Sequence, residues 1–260
     1  MTQAEVQKPR SVAEGRRRNR VADNVPWPKE RIEALLARGQ FSYQRIELPY
    51  GLSTNGKDRS SSADRMFPEN LAGKTVLDLG CNHGYFCFEA LRRGAMRVVG
   101  YDHSPMIIRR AARLAQAKGV IAEFEWRDLN HEPVTETFDY VLCLNVLHHL
   151  DNPLLQLERM MSITRETLVL EIAGFSLFDC FCKLEVVPFF AFFAFLLTPF
   201  PVVFIGRVPG ATPDAPHRLK YYFTRRAMLR LFEKHKDVFP RVEIVRSRFK
   251  RRYLLIAHRV

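Results

Sequence analysis

The sequence of 260 residues lacks several features that define whole classes of proteins. Its five cysteines include no CxxC pair, which argues against a secreted disulfide scaffold and favours the reducing cytoplasm as the compartment. The first 25 residues contain no apolar run, so we expect no secretory signal peptide. The histidines and cysteines are scattered, and we predict no metal site. Hydrophobic residues make up 47% and charged residues 26%, which excludes global disorder, collagen and coiled coil.

Positive charge is abundant, and most of it lies at the two ends of the chain. The net charge is +12, and residues 1–20 carry six basic and two acidic side chains. The polar segment 1–25 shows no periodicity, so we interpret it as a disordered basic tail that is either merely solvated or attracted to RNA or anionic lipid. Residues 217–260 carry fourteen basic and three acidic side chains, and they form either a solvated face or a surface for a polyanion.

The middle of the chain alternates between short apolar strands and amphipathic helices. We predict strands at 76–79, 98–101, 120–126, 140–144 and 168–172, and helices at 84–94, 104–118 and 151–161. A helix at 224–236 and two strands at 241–247 and 253–258 follow near the C-terminus. This order is typical of an α/β fold with a doubly wound, mostly parallel seven-stranded sheet that helices cover on both faces.

Composition and pattern together divide the chain into five segments. The basic tail 1–25 precedes an N-terminal helical or lid segment at 26–73, which holds a predicted helix at 26–39, an alternating stretch at 41–49 compatible with a strand, and a polar loop at 51–62. Then come the alternating core at 74–172, a phenylalanine-rich insertion at 173–216, and a C-terminal helix and basic hairpin at 217–260 that complete the sheet.

The insertion at 173–216 interrupts the alternation of strands and helices. Ten of the twenty phenylalanines lie between Phe175 and Phe204, and residues 186–206 contain no charge. That length would allow a membrane span, but three prolines within it disfavour an uninterrupted spanning helix. Three interpretations stay open: a lid over an apolar pocket, an element that lies in the membrane interface, and a dimer face or plain core.

The stretch VLDLGCNHG at 76–84 is the most informative part of the core. It predicts a strand that runs into a glycine turn, and the turn opens a helix. Gly80 and Gly84 carry no Cβ, so the backbone there can approach a ligand closely. The GxGxxG spacing of dinucleotide-binding proteins is absent, and the carboxylate of Asp78 would repel a pyrophosphate. That carboxylate would suit a ligand with a cationic amino group.

Polar residues also follow the next three strands. Asp102 ends the second strand, where an acid can accept both hydroxyls of a ribose. After the third strand, Asp128 can hold the amino edge of an adenine while Leu129 covers its face. Asn145 closes the fourth strand. Because open α/β sheets bind ligands at the carboxyl ends of their strands, these residues predict one shared site.

Residues 74–172 resemble a class I S-adenosylmethionine-dependent methyltransferase. The resemblance rests on VLDLGCNHG at 76–84, VVGYDHS at 98–104, WRDLN at 126–130 and FDYVLCLNVLHHL at 138–150, in that order, and FTRRAMLRLFEKH at 223–235 fits a later helix of the family. It implies S-adenosylmethionine as the cofactor, with Asp78, Gly80 and Gly84 along its methionine part. It further implies that Asp102 binds the ribose, His103 flanks the adenine, Asp128 and Leu129 bind the adenine, and Asn145 closes the pocket near the sulfonium.

Two details qualify this resemblance. Asn82 stands in the middle of the turn, where the family often has glycine; asparagine tolerates unusual backbone angles better than most residues, so we still expect Asn82 to take part in cofactor binding. The segment 43–95 is also loosely similar to the bacterial methyltransferases that are grouped with the wobble-uridine tRNA enzymes. That group is broad, so it does not define the substrate.

His148 and His149 follow the fourth strand and are the candidate catalytic residues. A histidine titrates near neutral pH and can take the proton of a hydroxyl or amine that accepts a methyl group. The alternative is that the pair caps and packs the next helix.

Three functions are compatible with these features. The first is an S-adenosylmethionine-dependent methyltransferase that acts on an apolar or membrane-associated small molecule, in the cytoplasm and with peripheral contact to the inner face of the membrane. The second is a tRNA (wobble uridine) methyltransferase, which the basic C-terminal hairpin and the segment 43–95 favour. The third is a cofactor-binding protein without catalysis. The sequence does not indicate an oligomeric state.

Overall fold

A computed structural model describes residues 25–173, 200–212, 215–249 and 252–260. For residues 207–212 and 215–218 it describes the backbone but not the side chains. The helices are α1 (Lys29–Arg38), α2 (Ser60–Met66), α3 (Tyr85–Arg92), α4 (Pro105–Lys118), α5 (Pro153–Ile163) and α6 (Arg225–Glu233). The strands are β1 (Thr75–Leu79), β2 (Arg97–Asp102), β3 (Glu123–Trp126), β4 (Phe138–Leu144), β5 (Thr164–Ala173), β6 (Val203–Thr212), β7 (Ala215–Phe223), β8 (Arg241–Arg246) and β9 (Arg252–His258). Short 3-10 helices occur at Pro49–Gly51 and Leu147–His149.

Seven strands form one central sheet in the order β3-β2-β1-β4-β5-β9-β8. The first five run parallel, and β9 runs antiparallel to both β5 and β8. The predicted α/β fold with a mostly parallel seven-stranded sheet is therefore confirmed. Because the five parallel strands end at the same edge, residues far apart in sequence meet there.

Burial explains why the strands read as apolar runs in the sequence. All five residues of β1 are buried, and one apolar cluster packs on each face of the sheet. Helix caps fix where several helices begin: the side chains of Ser104, Asn152 and Thr224 accept hydrogen bonds from backbone N–H groups at the starts of α4, α5 and α6.

The N-terminal segment differs from its prediction. Residues 41–49 form no strand; only single bridges occur, from Gln44 to Lys57 and from Glu47 to Ser53, and Pro49 then starts a 3-10 turn. Phe41, Ile46 and Leu48 are nonetheless buried, because the segment is an irregular extended chain laid on the core. Alternating apolar residues fit that arrangement as well as a strand. The predicted loop at 51–62 also ends early, since α2 begins at Ser60.

Part of the predicted insertion is a separate antiparallel hairpin of β6 and β7. The Tyr221 hydroxyl of β7 donates to the carbonyl oxygen of Asp151 at 3.1 Å, so the hairpin packs beside the 3-10 turn that follows β4. Most of the phenylalanine-rich run, residues 174–199, lies outside the described residues, and so does the tail 1–24. Within the described ranges, no helix is both long enough and apolar enough to cross a membrane.

Candidate active site

A cavity of about 760 Å³ opens at the carboxyl edge of the sheet. Nine of the eleven residues predicted for the site line this cavity: Asp78, Gly80, Asn82, Asp102, His103, Asp128, Leu129, Asn145 and His149. The volume lies within the range typical of small-molecule and cofactor sites. Among the described side chains, no group of three or more histidines, cysteines or acids is arranged to bind a metal ion.

The turn after β1 has a backbone that most residues could not adopt. Gly80 has φ +78°, and a Cβ on it would overlap the side chain of Val146. Asn82 has φ +53°, and its Oδ1 accepts the backbone N–H of His83 at 2.9 Å. The asparagine thus adopts the left-handed conformation that its short polar side chain tolerates. Gly80 and Asn82 of this turn line the cavity.

Asp102 is held rigidly at the end of β2. Its Oδ2 accepts the backbone N–H of Asn82 at 3.1 Å, and its Oδ1 accepts that of Ser104 at 3.0 Å. A carboxylate has about four acceptor positions, so two N–H donors leave capacity for ligand hydroxyls. The side chain is buried, and it faces the cavity. Asp102 therefore fits the predicted ribose contact.

Asp78 is almost fully enclosed, with 1% of its surface exposed. The Cys87 thiol donates to its Oδ2 at 3.9 Å. Burial, together with the nearby charge of Asp102, raises the pKa of the Asp78 carboxyl to about 7. An amino group of a ligand beside it would favour the ionised form.

Asp128 and its neighbours form another part of the cavity wall. Asp128 Oδ1 accepts the backbone N–H of Asn130 at 2.9 Å, and Oδ2 lies 3.0 Å from His131 Nδ1. Burial alone would raise the pKa of Asp128, but these hydrogen bonds lower it overall. His103 is exposed, with Nδ1 3.4 Å from Asp102 Oδ1. These contacts keep Asp128 ionised at the rim where an adenine edge is predicted.

Arg59 also lines the cavity, although no sequence motif predicted it there. This residue is only 5% exposed, and its guanidinium carbon lies 3.9 Å from the ring centre of Phe249 and 5.2 Å from that of Tyr43. Its Nε is buried and has no hydrogen-bond partner in the described part of the chain. Aromatic rings stabilise a cation but do not neutralise it. Arg59 therefore presents a buried positive charge to the cavity.

Glu171, near the end of β5, is an acid that also lines the cavity, but its oxygens are already engaged. Oε1 accepts the Ser247 hydroxyl at 2.8 Å, and Oε2 accepts Arg252 Nη1 at 3.1 Å. Glu171 is thus paired with Arg252 and not with Arg59. The sequence did offer a signal for this residue, since Glu171 is a lone acid near the end of an apolar strand, like Asp78 in β1.

Two predicted residues do not reach the cavity wall. Gly84 begins α3 instead, and a Cβ there would lie 2.6 Å from the ring of Phe124, so the glycine allows close packing of helix and sheet. His148 is 1% exposed and points into the protein, with its ring centre 4.1 Å from that of His149. Of the two histidines, His149 is the one that lines the cavity.

Comparison with known proteins identifies the kind of domain that contains this cavity. Residues 70–185 match a family model described as a methyltransferase domain. The tRNA U34 carboxymethyltransferase of Helicobacter pylori (strain G27) is 34% identical over 137 residues, which is 49% of this chain and 51% of that protein. The chain carries a class I S-adenosylmethionine-dependent methyltransferase domain. The predicted family and the predicted cofactor are confirmed by these matches, whereas the roles of single residues stay predictions.

Further comparisons define how far the likeness of the methyltransferase domain extends. The tRNA U34 carboxymethyltransferase of Shewanella sp. (strain ANA-3) is 31% identical over 164 residues, 56% of this chain and 48% of that protein. The chain thus spans about half the length of the curated relatives it matches. The N-terminal domain of EvdMO1, solved with SAH and D-fucose, superposes with a TM-score of 0.63 at 15% identity over 90% of this chain and 98% of that one. It shares the fold.

Proposed function

We propose that the whole protein transfers the methyl group of S-adenosylmethionine to an acceptor bound beside Arg59. The observation that carries this proposal is the cavity itself, which is lined by the Asp102 carboxylate, by the left-handed turn at 80–82 and by Arg59, whose Nε has no hydrogen-bond partner among the described residues. When bound, the cofactor supplies an electrophilic methyl group on a sulfonium. The protein then has mainly to align the acceptor with that group.

The residues present fit the cofactor. Asp102 would accept the ribose hydroxyls, because its carboxylate is already oriented by two backbone N–H groups. Asp78 would pair with the amino group of the methionine part, and the 80–82 turn, which lines the cavity, would lie beside it. The remaining lining residues would make the predicted contacts: His103, Asp128 and Leu129 around the adenine, and Asn145 near the sulfonium.

His149 is the residue that we assign to proton removal. A hydroxyl or amine acceptor loses a proton on methylation, and a base at the site lowers the barrier. His149 lines the cavity, whereas the side chain of His148 is enclosed in the protein. His148 would then orient its neighbour by ring contact.

A tRNA base is the acceptor that we favour. Two observations support it: the curated relatives are named tRNA U34 carboxymethyltransferases, and Arg59 places a cation where a nucleotide or another anionic acceptor would lie. A buried guanidinium with an unpaired Nε is a poor wall for a neutral, apolar acceptor, because the charge would stay uncompensated.

An apolar or membrane-associated small molecule is the second candidate acceptor. The observation in its favour is compositional: ten phenylalanines between residues 175 and 204, in a segment that follows the strand bearing Glu171. This candidate places the protein in the cytoplasm, with peripheral contact to the inner face of the membrane.

One experiment separates these candidates. Purified protein is incubated with S-adenosylmethionine that carries a radiolabelled methyl group, and with either unfractionated bacterial tRNA or a bacterial lipid extract. We expect label in tRNA and none in lipid, and no transfer by Asp102→Ala. Label in the lipid fraction alone would support the second candidate. Binding of the cofactor by calorimetry without label in either fraction would support a non-catalytic cofactor-binding protein.

A further inference from the structure

A second concave surface lies outside the cofactor cavity, between α1 and α4. It is a groove of about 630 Å³, and we call it the arginine groove because five arginines line it: Arg31, Arg38, Arg109, Arg110 and Arg113. Among the residues that the structure describes, no acidic side chain lines this groove. The methyltransferase site uses none of these residues.

The sequences of the two helices explain why the charges converge. Arg31 and Arg38 are seven residues apart on α1, so they share one helix face, and Arg109 and Arg113 are four apart on α4. The helix α4 contains no acid at all. Four of the five arginines are exposed, and Arg110 is half-buried. The two basic faces therefore meet across one groove.

These arginines have few partners within the part of the chain that the structure describes. Arg31 stacks on Trp27 at 3.7 Å, and Arg110 Nη1 donates to the carbonyl oxygen of Gln40 at 3.4 Å. No ion pair joins any of the five to a carboxylate of the described residues. Five converging positive charges repel one another, and a ligand with several negative charges would relieve that repulsion.

The arginine groove lies beside the cofactor cavity. Phe41 lines the groove, and Tyr43 and Gln44, two and three residues later, line the cavity. A polyanion in the groove would thus lie next to the segment that lines the cavity.

We propose that the arginine groove binds the phosphate backbone of the RNA whose base enters the cavity. This inference rests on the proposed tRNA acceptor. Arginine is suited to the task because its planar fork binds phosphate oxygens in pairs. The other basic surface, on the β8–β9 hairpin, is partly neutralised, since Arg252 pairs with Glu171 and Arg241 with Glu243. The groove is therefore the stronger phosphate site.

The test measures binding of fluorescently labelled, unfractionated bacterial tRNA to the full chain over a range of salt concentrations. The groove variant is Arg109→Ala/Arg113→Ala. The matched control is Arg226→Ala/Arg230→Ala, which removes two exposed arginines with the same spacing from α6. A third variant, Arg246→Ala/Arg248→Ala, tests the hairpin. Binding of SAH and the melting temperature confirm that each variant folds.

We expect the groove variant to bind tRNA about ten- to a hundredfold more weakly at low salt, with the slope of log affinity against log salt reduced by about 1.5 to 2. The matched control should change neither quantity to that extent. Equal losses in groove and control variants would overturn the inference, as would a loss confined to the hairpin variant or the absence of tRNA binding by the unaltered chain. Groove-dependent binding to phosphatidylserine vesicles but not to tRNA would also overturn it.

The same experiment keeps the two proposals apart. If tRNA binds through the groove but takes no methyl group, the proposed acceptor is wrong and the groove is still an RNA site. If tRNA is methylated while groove and control variants behave alike, the acceptor is right and the groove is not the site.

Discussion

The two ends of the cavity are built in different ways. At the cofactor end, Asp78, Asp102 and Asp128 each lie at or just after the end of a strand, and backbone N–H groups orient Asp102 and Asp128. At the acceptor end, Arg59 comes from an irregular N-terminal segment and stacks on Phe249 from the basic hairpin. Glu171 there is fixed by Arg252 and Ser247, which lie far from it in sequence.

This difference has a physical consequence for specificity. The geometry of the cofactor end depends on sheet topology and on one rigid turn, so it is maintained wherever the sheet is intact. The acceptor end depends on side-chain contacts between segments that are remote in sequence, so it can change without altering the fold. Acceptor choice and cofactor choice should therefore respond to different substitutions.

The largest effect should come from the cofactor end. Asp102→Ala removes the carboxylate that we assign to the ribose and also the anchor of the turn at Asn82. Two charge-assisted hydrogen bonds are worth about 3 kcal/mol or more together, so SAH should bind at least about a hundredfold more weakly by calorimetry.

The control for this change is Asp139→Ala. Asp139 is similarly enclosed in the same sheet, but it pairs with Arg165 at the opposite edge of the sheet, and that pairing, despite burial, brings the pKa of Asp139 to about 2. Its loss should lower stability and leave SAH affinity unchanged. If both variants lose SAH to the same degree, Asp102 has no specific role.

The histidines provide the next prediction. His149→Ala should slow methyl transfer about a hundredfold while SAH affinity stays within twofold, because a general base is lost and the cofactor wall is intact. The readout is turnover against pH in single-turnover assays. His148→Ala serves as the control and should lower stability more than turnover. The reverse pattern, with His148 controlling turnover, would contradict the assignment.

The next prediction tests Arg59, at the end of the cavity that we propose for the acceptor. Arg59→Met should raise the acceptor KM about thirtyfold and keep SAH affinity, since a buried charge pair with an anionic acceptor is lost. Arg45→Met, an exposed arginine of the same segment, is the control, and Arg59→Lys should restore part of the loss. A parallel loss of SAH affinity would show instead that Arg59 binds the carboxylate of the cofactor.

The contrast also explains what the sequence could reveal. Strands buried on both faces read as apolar runs, so the sheet and the acids at its strand ends were predictable from local pattern. Arg59 was not, because it lies in a polar stretch and its contacts involve residues distant in sequence. Residues 41–49 were mispredicted because alternation reports which side chains are buried and not whether a neighbouring strand pairs with them. Gly84 was predicted to line the cofactor site for a comparable reason. A bound ligand and a packed phenylalanine ring can each require a residue without a Cβ, and the sequence does not distinguish the two.

The last prediction concerns Asp78 and the pH dependence of cofactor binding. The pKa of its carboxyl is about 7 without ligand, mainly because of burial. Binding of an ammonium group requires the ionised form, so SAH affinity should fall as the pH drops from 8 to 6, approaching about tenfold per pH unit below 7. Asp78→Asn should bind weakly and lose this dependence. A flat profile for the unaltered protein would remove Asp78 from the ammonium contact.

The stability of the ligand-free protein should show the opposite trend. The pKa of the Asp78 carboxyl is higher in the folded protein than its value of 3.8 in the unfolded chain. The neutral carboxyl therefore contributes its full stability below pH 4, and this contribution is lost as the pH rises through 7. Asp78→Asn should therefore raise the melting temperature of the ligand-free protein at pH 8, by the equivalent of a few kcal/mol at most. SAH should cancel that advantage, because the ammonium group makes the ionised carboxylate favourable. Asp78 would then destabilise the ligand-free protein and stabilise the SAH complex, which is the pattern expected of a binding residue. Melting temperatures of both proteins at pH 8, with and without SAH, test this directly.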